Sequence, residues 1–85
     1  MKEKLNELFI KLFSINIIRG NLENYSIFSS TINLLPLEIV YLFKSISKEF
    51  NIDLFTMDIS HKTSFIDIVN EIERRCNKWK NLEEH

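Results

Sequence analysis

Cys76, His61 and His85 are the side chains of this 85-residue chain whose types best suit chemistry. A cysteine becomes a nucleophile when a nearby base takes its proton, and no clear base is spaced to serve Cys76. It falls on an apolar helical stripe, where a thiol serves as a small hydrophobe. His61, between Ser60 and Lys62, reads as a solvated loop residue, and His85 ends the given sequence. One cysteine and two distant histidines fall short of the four ligands of a zinc site, so no metal is expected. The acids Glu3, Glu7, Glu23, Asp53, Asp58, Asp67, Glu71 and Glu73 are scattered, and no two are placed at a reaction centre. Glu71 and Arg75 have the i, i+4 spacing of a surface ion pair. Gly20 is the single glycine, which leaves no phosphate-cradling loop. Ser29 and Ser30, in "FSSTINLLP", suit loop hydrogen bonding. With no catalytic constellation, the expectation is a protein that is not an enzyme.

Composition narrows the classes further. The chain is 45% apolar and 27% charged, which predicts one folded domain over residues 1–85 rather than a disordered tail. A net charge of −1 offers no basic field for nucleic acid. No apolar run reaches the roughly 18–20 residues that span a bilayer. "MKEKLNELF" lacks the unbroken apolar segment of a secretory signal. A lone cysteine cannot close an internal disulfide, so a reducing cytoplasm is the expected compartment.

The apolar spacing predicts the elements that carry these residues. Leu5, Leu8, Phe9, Leu12 and Phe13 form one stripe of a helix over about residues 3–15. Residues 16–34 are rich in Asn and Ser, which compete with helical bonding. They predict a long loop lying on the bundle, because Ile17, Ile18, Leu22, Tyr25, Ile27 and Phe28 require burial. Pro36 suits the first turn of a second helix, over 36–50, whose core stripe is Ile39, Leu42, Phe43, Ile46 and Phe50. Asn51 suits its left-handed end. A short helix is expected at 56–60, with Ile52, Leu54 and Ile59 turned inward. Thr63 or Ser64 can cap a last helix, over 64–79, and Ser64 with Asp67 has the spacing of a capping box. Phe65, Ile68, Val69, Ile72, Cys76 and Trp79 form its core stripe. Arg74, Arg75, Lys78 and Lys80 complement its C-terminal dipole.

This pattern resembles acyl carrier proteins and peptidyl carrier domains over nearly the whole chain, most specifically from Asn33 to Ile72. In that family Gly-x-Asp-Ser-Leu opens the second helix, which runs on into Glu-Phe-Gly-Ile-Glu-Ile. "KEFNIDL" matches the latter through Glu49, Phe50 and Ile52, with Asn51 in place of glycine. "KTSFIDIVNEIE" is similar to the start of the family's closing helix through Thr63, Phe65, Asp67, Val69 and Ile72. The resemblance therefore implies an all-α, acyl-carrier-like bundle of three long helices plus one short helix, with a long first loop.

Counting back from Phe50 puts Pro36 at the family's modified serine, Leu37 at the leucine after it, Leu35 at the aspartate and Asn33 at the glycine. Proline has no hydroxyl to attack a phosphate, so on this register no phosphopantetheine arm is attached and no cofactor is expected. The alternative is a genuine carrier modified with phosphopantetheine on Ser29 or Ser30. The family's acidic recognition helix is also missing. Its outward stripe here is Leu37, Val40, Tyr41, Lys44 and Lys48, apolar and then basic. Either the long loop covers the apolar part, or the stripe binds a partner. The length and the degenerate pattern are similar to small acyl-carrier-related proteins of bacterial peptide-maturation systems. That resemblance implies a monomeric, non-catalytic adaptor docking a biosynthetic or peptide-modifying enzyme through the second helix.

Overall fold

The structure, a computed structural model, describes the backbone of residues 1–83 and the side chains of residues 1–76. Three helices, α1 (Lys2–Phe13), α2 (Pro36–Phe50) and α3 (Phe65–Glu83), pack with a 3-10 turn (Leu54–Thr56) between the last two. The loop between α1 and α2 is long, as the Asn- and Ser-rich stretch predicts. Among the described residues no helix is long and apolar enough to cross a membrane.

Several boundaries depart from expectation, and α3 runs on to Glu83, past the expected end at residue 79. The first helix stops at Phe13 rather than residue 15, because Ser14 turns left-handed (φ 59°). Its N–H donates to the Ile10 carbonyl at 2.9 Å and the Ile15 N–H to the Phe9 carbonyl at 3.4 Å. The short helix expected at 56–60 is instead the three-residue turn at 54–56. Side-chain hydrogen bonds, most of them from residues outside the turn, pull it forward. Ser47 Oγ accepts from the Leu54 N–H at 3.0 Å, and Asp53 Oδ1 accepts from the Phe55 N–H at 3.2 Å. Arg75 of α3 donates to the Asp53 carbonyl and to Thr56 Oγ1. With its polar groups used there, the chain leaves Ile59 37% exposed rather than tucked in.

α2 begins at Pro36 and ends at left-handed Asn51 (φ 54°), as read from its composition. Glu38 accepts from the Leu35 N–H at 2.8 Å, satisfying a donor at the helix entrance. α3 opens on the reciprocal capping box. The Ser64 N–H donates to Asp67 Oδ2 at 2.9 Å, and the Asp67 N–H to Ser64 Oγ at 3.2 Å.

The predicted stripes meet in one core. Leu5 and Phe9 of α1, Ile39, Leu42, Phe43 and Ile46 of α2, and Phe65, Ile68, Val69 and Ile72 of α3 are buried. Phe9 sits edge-on to Phe65 with centroids 5.5 Å apart, a favoured arrangement of aromatic quadrupoles. The loop adds Ile17, Ile27 and Ile32 to this core. Ile18 and Leu22 are half-buried, but Tyr25 and Phe28 stay nearly half exposed, short of the burial expected for them. The middle of the loop is tied to the start of α3. The Ile27 N–H donates to the Thr63 carbonyl at 2.9 Å and the Ile66 N–H to the Glu23 carbonyl at 3.1 Å.

Candidate docking surface

The outward face of α2 is uncovered. Leu37 is 82% exposed, and Val40 and Tyr41 are each just over half exposed. The loop that might have covered them is engaged elsewhere. Its apolar residues Ile17, Ile27 and Ile32 point into the core, and its hydrogen bonds to Thr63 and Ile66 hold it against the entrance of α3. Cover by the loop is thus excluded, and the stripe faces solvent. Lys44 and Lys48 continue it toward the helix C-terminus, both exposed.

Two apolar residues outside the predicted stripe enlarge the surface. Leu35, at the N-cap of α2, is 64% exposed. Phe55, on the 3-10 turn, is about half exposed and its ring rests against that of buried Phe43, with centroids 6.1 Å apart. Phe55 thus adds exposed apolar area next to α2. The spacing Leu35, Leu37 marks two apolar residues across a helix entrance, which was a usable sequence signal. Phe55 gave none, since its exposure depends on where the turn falls.

The other residues singled out from the sequence are dispersed. Pro36 is exposed at the first helical position of α2. Ser29 is half-buried, and its Oγ accepts from the Ile32 N–H at 3.4 Å. This is the loop bonding expected of it. Ser30 is exposed. His61 is exposed, and its carbonyl accepts from Ser26 Oγ. Cys76 is half-buried beside a hollow of about 180 Å³ lined also by Phe50, Asn51, Ile52 and Arg75. Trp79, Lys78, Lys80 and His85 lie outside the described side chains. Among the described residues no cluster of three or more His, Cys, Asp or Glu is placed to hold a metal ion.

The carboxylates serve the architecture. Glu38, Asp53 and Asp67 accept hydrogen bonds from backbone amides at the starts of α2, the 3-10 turn and α3. Glu23 pairs with Lys2 at 2.7 Å. Glu71 pairs with Arg74 and, at 2.9 Å, with Arg75. The hydrogen bonds from Arg74 and then Arg75 hold the Glu71 carboxyl below the usual carboxylate range.

One functional polar residue of the architecture escaped the sequence reading. Asn6, 8% exposed on the inner side of α1, accepts from the backbone amides of Ile17 and Ile18 and donates to Asn16 Oδ1 at 3.0 Å. Its position beside Leu5 on the core side of the helix was the available signal. No protein-family model, curated protein or solved structure matches this chain, and the surface itself is what any functional reading draws on.

Proposed function

We propose that this protein is a carrier-shaped adaptor without a prosthetic arm, which positions a biosynthetic or peptide-modifying enzyme by docking it on the outer face of α2. The observation that carries this reading is the uncovered stripe Leu37, Val40 and Tyr41, continued by Lys44 and Lys48. A contiguous exposed apolar area on a small domain marks an interaction surface. Burying it against a partner would remove apolar area from water at roughly 25 cal/mol per Å² before the costs of association. The lysines at its far end would set orientation and on-rate more than affinity.

The carrier likeness has support of its own. Asn33 and Asn51, at the positions where the carrier pattern has glycine, are both left-handed, with φ of 58° and 54°. Asparagine tolerates that conformation better than most residues, and it is one that glycine adopts readily. Pro36 keeps the helix start and gives up the hydroxyl. On this reading the protein acts as a monomer in a reducing cytoplasm, most fittingly in a peptide-maturation system, and performs no chemistry itself.

Intact mass after co-expression with a broad-specificity phosphopantetheinyl transferase tests the missing arm. An unchanged mass is expected. A stoichiometric gain mapped to Ser29 or Ser30 would replace the adaptor with a cargo carrier. Once a partner is identified, Leu37→Asp and Tyr41→Ala should abolish its capture, and retention by both variants would remove α2 from the interface.

A further inference from the structure

A groove of about 470 Å³ runs between α1 and α2. Leu8 and Leu12 of α1, both half-buried, and Tyr41 of α2 supply its apolar part, and Lys11, Lys44 and Lys48 stand exposed along it. It continues past Leu8, Lys11 and Glu49 into a second hollow of about 220 Å³, which Lys4 and Glu7 also line. Lys4 and Lys11 are seven residues apart, two turns of one helix face, so both reach the same channel.

The charge of this channel is unbalanced. Lys2 holds Glu23, and Arg74 and Arg75 hold Glu71. Lys4, Lys11, Lys44 and Lys48 have no carboxylate within 4 Å among the described residues. Four ammonium groups against the two carboxylates Glu7 and Glu49 leave a local excess of positive charge in a chain whose net charge is −1. Like charges set along one concavity repel each other, and an anionic occupant relieves that repulsion.

We infer that the α1–α2 groove binds an acidic amphipathic peptide segment of a partner protein, its apolar side chains against Leu8, Leu12 and Tyr41 and its carboxylates on the four lysines. The shape favours a peptide over a membrane, since a concave channel does not lie against a flat bilayer. Apolar lining and the interspersed Glu7 and Glu49 disfavour a phosphate backbone. A second copy docking through the same groove would set Lys44 and Lys48 near their own equivalents. A helical segment packed by its apolar stripe, or an extended one, fits a groove of this kind.

The inference rests on the docking reading in part, because Tyr41, Lys44 and Lys48 border both surfaces. Lys4 and Lys11 belong to the groove alone and Leu37 to the outer face alone, so each surface has its own variant. The probe is a fluorescein-labelled peptide of about 18 residues, long enough for five helical turns, with leucines at i, i+3, i+4 and i+7 and glutamates elsewhere. Its fluorescence anisotropy is followed with the full chain.

Saturable binding is expected, with the lysine-for-glutamate version of the peptide failing to bind. Lys4→Glu/Lys11→Glu should weaken binding about tenfold or more, and the milder Lys4→Gln/Lys11→Gln about threefold, both with an unchanged circular dichroism spectrum. Raising salt from about 0.05 to about 0.5 M should weaken it as well. Leu37→Asp should leave it unaltered. Absence of saturable binding, equal binding of the two peptides, indifference to the Lys4 and Lys11 variants, or binding only of phosphatidylglycerol vesicles would each overturn the inference. An arm found on Ser29 or Ser30 would end the adaptor reading while leaving the peptide result standing.

Discussion

The side-chain oxygen of Asn6 lies 2.7 Å from the backbone nitrogen of Ile17 and accepts its hydrogen. The same oxygen takes the Ile18 amide at 3.2 Å, so one side chain of α1 anchors the first turn of the long loop. Ile17 is fully buried, and without Asn6 its amide would have no water to turn to. Asn6→Ala should therefore cost about 2–3 kcal/mol, the cost of buried donors left unmade. Urea denaturation should show a lower midpoint with an unchanged slope. A loss under about 0.5 kcal/mol, the range of a plain surface substitution, would mean that the loop finds another acceptor.

The two faces of α2 should respond oppositely to substitution. Leu37 is 82% exposed and Ile46 is fully buried. Leu37→Asp should change stability by less than about 0.5 kcal/mol. Ile46→Ala, which leaves a cavity, should cost about 2–5 kcal/mol. Thermal denaturation of the pair checks this directly, and a large loss at Leu37 would mean that its face is packed in solution.

Glu71 links stability to acid. Its carboxyl titrates below its unfolded value because Arg74 and Arg75 donate to it. The unfolded chain thus binds the proton first as pH falls. The stabilisation is present above the usual glutamate pKa of about 4.3 and is lost as pH drops through the lower native value. Glu71→Gln should lower Tm by a few degrees near pH 7, on the order of 2–5 °C. Near pH 2 the variant and the parent should converge. A constant gap across that range would assign the effect to packing instead of charge.

Ser14 and Asn51 end their helices in the same left-handed conformation, with φ of 59° and 54°. Serine pays more for it than asparagine does. Ser14→Gly should raise stability by about 0.5–1 kcal/mol, and Asn51→Ala should lower it by about 1 kcal/mol. Differential scanning calorimetry of both variants measures the contrast.

The helices were legible because their apolar periodicity and caps agree. Pro36, Asn51 and the Ser64–Asp67 pair each marked an end from local chemistry alone. What eluded the sequence depended on partners remote along the chain. The turn falls at Leu54–Thr56 because Ser47 and Arg75 bond to it, and neither is a neighbour in sequence. Likewise, whether Leu37 and Tyr41 were covered turned on where a loop without periodicity would lie. The lysines of the groove were visible as lysines, but their convergence required knowing that α1 and α2 pack side by side. The single glycine was a weak guide here. Gly20 is not left-handed, and its neighbour Asn21 is, with φ 54°.

The bonds from Ile27 to Thr63 and from Ile66 to Glu23, with the bridge between Ser26 and Ser64, join loop and helix into one opening unit. Releasing the loop strips the first turn of α3 of its outer support, so the two segments should open together. Hydrogen exchange should return one common opening free energy for the amides of Ile27 and Ile66. The length of chain that looks most like a connector should then open only together with the helix it braces.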